Sequence, residues 1–421
     1  MRFENSFAKL IRQALVPAAC VTIGLLAGTV AHAQTVGDVF VIDMENHNFT
    51  QPASLTSLEP LYGNPAAPYL NSLITPGNPN AAQTSYATNY HNTAAGVHPS
   101  EPNYIWQEGG SNFSTFNDNT PYANGGANVY SQPNLSSLIQ NSGQSWKSYQ
   151  EDIDLTTNTS GQLTSVVAPQ STWTVPLNNI SGTSTAYINQ YNGSNQYNFA
   201  TKHDGQLNFT ATNGGNNTTT SNPEVSHYAP LQQLTNDLSL NTVGKYNLIT
   251  PDQYNDAHTA LDGGFTYQGV HYTGDSANIA QGDNFLSEII PQIQASQAYK
   301  NNGAIMIWWD ETEGGDSSLY TLSETLISPL AKGNAYDSTL NYTHSSDLKT
   351  LQEIFGVQAP GGGFLGDANN PATNDLSDLF KPGAVPQAVP EASTTVSFGL
   401  LLMLGLGGAF AAARKKKTAS A

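Results

Sequence analysis

The chain has 421 residues, with 14 lysines and arginines against 32 aspartates and glutamates, and a formal net charge of −18 at pH 7. That balance argues against polyanion binding through a basic face, so no nucleic acid is expected as a partner. One cysteine, Cys20, excludes a disulfide framework, and stability must come from packing, for which a chain of this length is ample.

In chain order, Arg2, Lys9 and Arg12 precede an apolar stretch from Ala14 to Val30. Ala31-His32-Ala33 then places small residues where a signal peptidase reads them, so residues 1–33 are expected to be a secretory signal cut before Gln34. Cys20 leaves with it. Between residues 34 and 386, seven lysines and no arginine face 30 acidic residues. Any phosphate clamp must therefore use a metal, lysine, histidine or backbone amides in place of guanidinium.

The run Val36 to Ile42 reads as the first strand, and Ala67 to Ile74 as a helix. Ser100 follows a loop rich in Asn, Thr and Gly. Pro133 to Gln140 reads as a short helix with proline near its start, and Ser145 to Tyr149 as a strand. Residues 153–223 are dominated by Asn, Thr, Gly and Ser and read as a β- and loop-rich insertion or cap. Leu231 to Leu238 is expected to be helical, Tyr246 to Thr250 a strand, and Phe285 to Tyr299 an amphipathic helix tolerating Pro291. A strand from Gly303 to Trp309 and a helix from Ser345 to Phe355 close the pattern. Strands alternating with helices point to an α/β fold, three layers α/β/α around a mostly parallel sheet, over residues 34–380.

Residues 381–395 read as a linker carrying Pro390-Glu391-Ala392, followed by an apolar run over 396–413 that is long enough to span a membrane and a basic tail over 414–421. This arrangement resembles the PEP-CTERM sorting signal of Gram-negative bacteria, with alanine in place of the second proline. The resemblance implies export to the cell surface or beyond, an exosortase-type processing enzyme as partner, and membrane association before processing.

Chemistry concentrates where strands end. Val39-Phe40-Val41-Ile42 runs into Asp43-Met44-Glu45-Asn46, and Ala304 to Trp309 runs into Asp310-Glu311. Continuous apolar runs suit strands buried on both faces. In open α/β sheets ligands bind at the carboxyl ends of the strands. Acids placed there are costly unless something cationic neutralises them, as a metal ion does. Ser100 is a hydroxyl candidate between the two. The simplest reading is a metal-assisted hydrolase with a serine nucleophile.

Motifs in this order resemble the phosphoesterase family of bacterial acid phosphatases and phospholipases C, within the alkaline-phosphatase-like superfamily. Glu45-Asn46-His47-Asn48-Phe49 is similar to its opening motif, and His98-Pro99-Ser100-Glu101-Pro102-Asn103-Tyr104 to the signature of its acid-phosphatase branch. Trp146 to Glu151, Lys202-His203, Thr250-Pro251, Asn255-Asp256-Ala257-His258, Trp309-Asp310-Glu311 and His344 before a helix ending at Phe355-Gly356 continue the series. The resemblance implies that Glu45, Asn46, Asp310 and Glu311 are metal ligands and that Ser100 is a nucleophile forming a phosphoserine. It implies that Asn103 donates to a phosphoryl oxygen and that Lys202 and His203 add positive charge from the cap. Asp256, His258 and His344 would make a second metal site or serve as acid and base. The divalent ion is calcium, magnesium, manganese or zinc. His47, His91, His98, His227 and His271 are read as structural or surface. Glu101 departs from the family pattern and is expected to bring negative charge near the phosphate. The substrate class is a phosphate ester, the first expectation being a monoester. A phospholipase C or other phosphodiesterase, and a matrix protein on an inactive hydrolase fold, are the alternatives.

Overall fold

Apolar runs buried on both faces build the middle of one large sheet. The computed structural model describes residues 34–94, 96–121 and 127–386; the expected signal, sorting motif, apolar run and basic tail lie outside them. In chain order the strands are β1 (Val39–Met44), β2 (Thr84–Tyr90), β3 (Trp146–Gln150), β4 (Leu155–Thr157), β5 (Leu163–Val167), β6 (Ile180–Thr183), β7 (Gln196–Phe199) and β8 (Tyr228–Pro230). Then follow β9 (Tyr246–Thr250), β10 (Phe265–Tyr267), β11 (Val270–Tyr272), β12 (Ala304–Trp309), β13 (Leu322–Ile327) and β14 (Tyr336–Ser338). Eight of these form a sheet in the order β14-β2-β13-β12-β1-β9-β3-β8. Only β13 runs against its neighbours; every other pairing in the sheet is parallel. Every residue of β1, β9, β12 and β13 is buried.

The helices are α1 (Pro68–Leu73), α2 (Glu101–Gly109), α3 (Leu135–Asn141), α4 (Gln232–Leu240), α5 (Asp275–Ala295), α6 (Gln297–Lys300) and α7 (His344–Phe355). They pack as two groups, α1 with α4, α5 and α6, and α2 with α3 and α7. The fold is the expected α/β one. The 153–223 insertion is made of the hairpins β4–β5 and β6–β7 joined by short 3-10 turns.

Several elements differ from the sequence reading. Helix α5 starts ten residues earlier than expected, at Asp275, and ends at Ala295. Its first half is rich in Asn, Gln, Gly and Asp, which hides the helical period. Those polar residues face inward for a reason. Asp283 accepts the backbone N–H of Tyr69 and Leu70 at the start of α1, and Gln281 donates to the carbonyls of Tyr254 and Thr259. Helix α2 is not among the expected helices, because Pro102 and several polar side chains mask a segment that is nonetheless buried almost all round. Strands β2 and β13 carry buried Thr84, Ser85, Glu324 and Thr325 in place of an apolar run.

Candidate active site

Register alone brings the first acids together. Strands β12, β1 and β9 are parallel neighbours, with Met44 opposite Trp309 and Ile42 opposite Ile249. The next residues along each strand therefore leave the sheet at one edge. Asn46 turns the chain there with φ 51°, a left-handed conformation that asparagine tolerates. Its backbone N–H donates to Asp310 Oδ1 at 2.8 Å, and its side chain donates to Glu45 Oε2 at 2.7 Å.

Ser100 caps the start of α2, and its Oγ lies 3.0 Å from Glu45 Oε2. Tyr104, one helical turn on, donates its hydroxyl to Glu45 Oε1 at 2.8 Å. Glu45 and Asp310 are both fully buried. Burial, with the charges of Asp310 and Asp256, pushes the Glu45 carboxyl well above its usual range. Burial and Glu311 push Asp310 up to about 8. Asp310 Oδ2 has no hydrogen-bond donor among the described residues. A buried acid pair with a bare oxygen is what a cation site looks like before its ion is counted.

The insertion closes over this edge. Gly205 lies so near α2 that a Cβ there would sit 2.1 Å from the Tyr104 carbonyl oxygen. That approach stacks His203 on the Tyr104 ring, with centroids 5.3 Å apart. His203 Nδ1 is 3.1 Å from Asp256 Oδ2, and its Nε2 is 3.0 Å from Glu45 Oε1. Burial lowers the His203 pKa well below the usual value, so the ring is neutral. With Nδ1–H donated to the Asp256 carboxylate, Nε2 presents a lone pair to another acceptor, and it has no hydrogen-bond partner. Two acceptors this close call for a cation between them. His258 completes the group: ligand atoms of Glu45, His203 and His258 lie within 4.8 Å of one another. Burial and Lys202 hold His258 at about 4, a neutral lone-pair donor.

Lys202 donates to Asp118 Oδ2 at 2.9 Å; burial alone would lower its pKa, but Glu45 and Asp118 hold it above the usual value. Asn103 is fully buried, and its amide donates to the Val97 carbonyl at 3.1 Å and Glu311 Oε2 at 3.3 Å. Both N–H groups are thus engaged, and Oδ1 has no donor. Donation to a phosphoryl oxygen requires release of Glu311. His344 is set back from the group: its Nε2 is 3.1 Å from the Trp309 carbonyl, and its ring packs on Trp308. Burial lowers it to about 3, so Nε2 carries the proton and the buried Nδ1 is bare.

Glu101 does not carry the negative charge expected of it. It is buried against the amides of Asn208 and Asn128, and burial raises it to about 8, so it carries a proton at neutral pH. Two further residues were passed over in the sequence. His98 bonds Glu311 through Nδ1 and Asp316 through Nε2, and its bond to Glu311 raises it to about 9 despite burial. Tyr104 lies inside the motif around Ser100, and helical spacing from the serine was the signal for it. A cleft of about 560 Å³ opens beside Asp316, lined by residues including Asn92, Thr312, Tyr320 and Thr343 but by none of Glu45, Ser100, Asp310 or Glu311.

An α/β sheet with buried acids, a serine and histidines converging at its carboxyl edge defines a hydrolase of charged esters. The Phosphoesterase family model matches residues 75–358. The chain belongs to the Phosphoesterase family, and it is an enzyme of phosphate ester hydrolysis. A phosphatidylinositol-3-phosphatase of Mycobacterium tuberculosis is 26% identical over 301 residues, 72% of this chain and 74% of the relative. Among solved structures, an alkaline phosphatase superfamily protein from Vibrio parahaemolyticus matches with TM-score 0.41 and 10% identity, over 77% of this chain and 67% of that one. The phosphonate monoester hydrolase of Agrobacterium radiobacter matches with TM-score 0.39 and 10% identity, over 85% and 78%.

Proposed function

We propose that this phosphoesterase is an exported, metal-dependent phosphomonoesterase that works through a phosphoserine on Ser100. One observation carries the reading: Ser100 Oγ stands 3.0 Å from a carboxylate of Glu45, and the next residue, Asn46, bonds Asp310 across the ends of β1 and β12. The donor set fits a divalent cation. Asp310 Oδ2 and His203 Nε2 are buried without partners, and nearby acids repel one another. Glu45, Asn46, Asp310 and Glu311 would hold one ion; Asp256, His203 and His258, with Glu45, offer the ligands of another, and His344 supports the Asp310 turn from behind. When bound, such an ion neutralises phosphoryl charge and lowers the pKa of a nearby hydroxyl.

The protein's own groups do the rest. Glu45 Oε2 accepts the Ser100 hydroxyl and fixes Oγ for attack. The Ser100 Oγ–P bond forms as the bond from phosphorus to the ester oxygen breaks, and water then cleaves the phosphoserine to restore the hydroxyl. Asp256 orients His203 through Nδ1, and the neutral His258 suits a ligand or base. The name of the Mycobacterium tuberculosis relative points to a monoester, which favours monoesters over diesters. Export rests on residues 1–33 and the sorting-like tail, with an exosortase-type enzyme as processing partner. No helix among the described residues is long and apolar enough to cross a membrane.

The test is acid-quenched turnover of a 32P-labelled monoester. Label should stay on the wild-type chain and be lost from Ser100→Ala, and a chelator should stop hydrolysis until divalent metal is returned. Hydrolysis that persists through both chelation and Ser100→Ala defeats the mechanism. Faster cleavage of a bis-p-nitrophenyl diester than of p-nitrophenyl phosphate would replace the monoester reading.

A further inference from the structure

A second set of acids lies at the same edge of the sheet. Strands β3 and β9 are parallel neighbours, with Gln150 opposite Thr250. One strand continues into Glu151-Asp152 and the other into Pro251-Asp252. All three acids are fully buried, and one carboxylate oxygen from each lies within 4.8 Å of the others. None of the ion pairs among the described residues involves them.

Burial, with repulsion at Glu151 and Asp252, raises all three carboxyls above their usual range, although donors crowd them. Glu151 Oε1 accepts from the amides of Asn189 at 2.6 Å and Asn255 at 2.9 Å, and Oε2 accepts from the Asp252 backbone at 2.8 Å and from Asn255 at 3.1 Å. Asp152 accepts from the Tyr187 hydroxyl and the Asn198 backbone. Asp252 Oδ1 accepts the backbone N–H groups of Tyr254 and Asn255. Five of the six oxygens are thus supplied with donors, and a proton on any of them would face a donor. The sixth, Asp252 Oδ2, accepts from no N–H or hydroxyl donor among the described residues, although the residue is fully buried. Asp152 and Asp252 approach closely enough for their carboxyls to interact directly. Three carboxyls buried together with no cationic side chain beside them are expensive.

We propose that Glu151, Asp152 and Asp252 hold a divalent cation, calcium by preference, at a site separate from the catalytic centre. The donors are all oxygens, which suits a hard ion, and calcium accepts irregular oxygen sets that magnesium and zinc do not. The ion has a structural consequence. Asp252 is joined through its backbone carbonyl to the N–H of Asp256 at 2.9 Å. A cation on Asp252 therefore anchors the loop that carries Asp256 and His258 into the active site, and ties it to the end of β3.

Calcium bound to the mature chain is counted by equilibrium dialysis and elemental analysis in a Glu45→Gln, Asp310→Asn, Glu311→Gln background, which strips the first site of its carboxylates and takes Glu45 from the histidine group. One calcium per chain is expected, and a hundredfold excess over Kd should raise the melting temperature by roughly 4 °C. Adding Asp152→Asn or Asp252→Asn should weaken binding at least tenfold and remove the shift. The proposal is overturned if the background chain neither binds nor responds to calcium, or if it binds equally well with either variant. Should neither variant fold, anomalous diffraction from calcium-soaked crystals decides: a peak among the three carboxylates supports the site, and no peak there overturns it.

Discussion

Removal of one hydroxyl tests whether the Glu45 carboxylate is held for a metal. In Tyr104→Phe the ring stays stacked on His203, and only the 2.8 Å bond to Glu45 Oε1 is lost. The donor is a protonated phenol, its pKa raised by burial and by Glu45, so it gives a hydrogen bond across the working pH range. A hydrogen bond to a charged group contributes about 1.5–3 kcal/mol, or roughly 10- to 150-fold in an equilibrium constant. Loss of a group that orients a metal ligand typically costs about 10- to 100-fold in metal affinity. Asn46 and Ser100 still hold Glu45 through Oε2, so the lower half of that range is expected, about 10- to 30-fold. The assay is p-nitrophenyl phosphate hydrolysis by chelator-stripped protein titrated with each divalent ion. The half-activating concentration should rise by that factor, with kcat at saturating metal within about threefold of wild type. An unchanged metal midpoint in a variant that melts like the wild type would refute the assignment of Glu45 as a ligand.

Other substitutions probe how the site is assembled. Gly205→Ala places a methyl 2.1 Å from the Tyr104 carbonyl, against backbone that cannot yield cheaply. It should cost about 1–3 kcal/mol by overpacking and cut kcat/KM by moving His203 away from Glu45; denaturant melts and steady-state kinetics read both, and a wild-type profile would show that the insertion does not position His203. Glu101 has a folded-state pKa of about 8, raised from 4.5 by burial. The folded state therefore holds this proton more tightly than the unfolded one, and stability is lost as pH rises from the unfolded pKa through about 8. Glu101→Gln should match wild-type activity at pH 6 and melt above wild type at pH 9; a large loss of activity at pH 6 would mean that Glu101 works as a carboxylate. His98, held at about 9 by Glu311, should be charged at neutral pH, and His98→Ala should lower kcat/KM by freeing Glu311, with little change in melting temperature because His98 is part-exposed.

Strands β1 and β12 were legible because a strand buried on both faces must be apolar throughout. The acids that follow them stood out for the same reason: an apolar strand running into Glu45-Asn46 or Asp310-Glu311 changes character within one residue. Order did the rest, since motifs around Ser100, Lys202-His203 and Asp256-Ala257-His258 are weak singly. Strands β2 and β13 were not legible. Thr84 and Ser85 bond residues outside their strand, Ser323 and Thr325 bond each other, and Glu324 is buried beside Asp347; no local pattern signals that. Helix α2 failed for a similar reason, since its polar residues Gln107 and Glu108 are buried against Asp43 and Ser136.

What the sequence by itself determined was chemistry in outline: an α/β phosphoesterase with acids at two strand ends and a serine between them in the chain. Which atoms meet was a matter for the tertiary structure alone. Both N–H groups of Asn103 are engaged, Glu101 is neutral, and His203 Nε2 faces Glu45 as a bare lone pair. Glu151 and Asp252 stand a hundred positions apart in the chain and become neighbours only because β3 pairs with β9. Hydrogen bonds and pKa values depend on ångström-scale proximity and burial, and strand adjacency fixes both across separations that carry no local pattern.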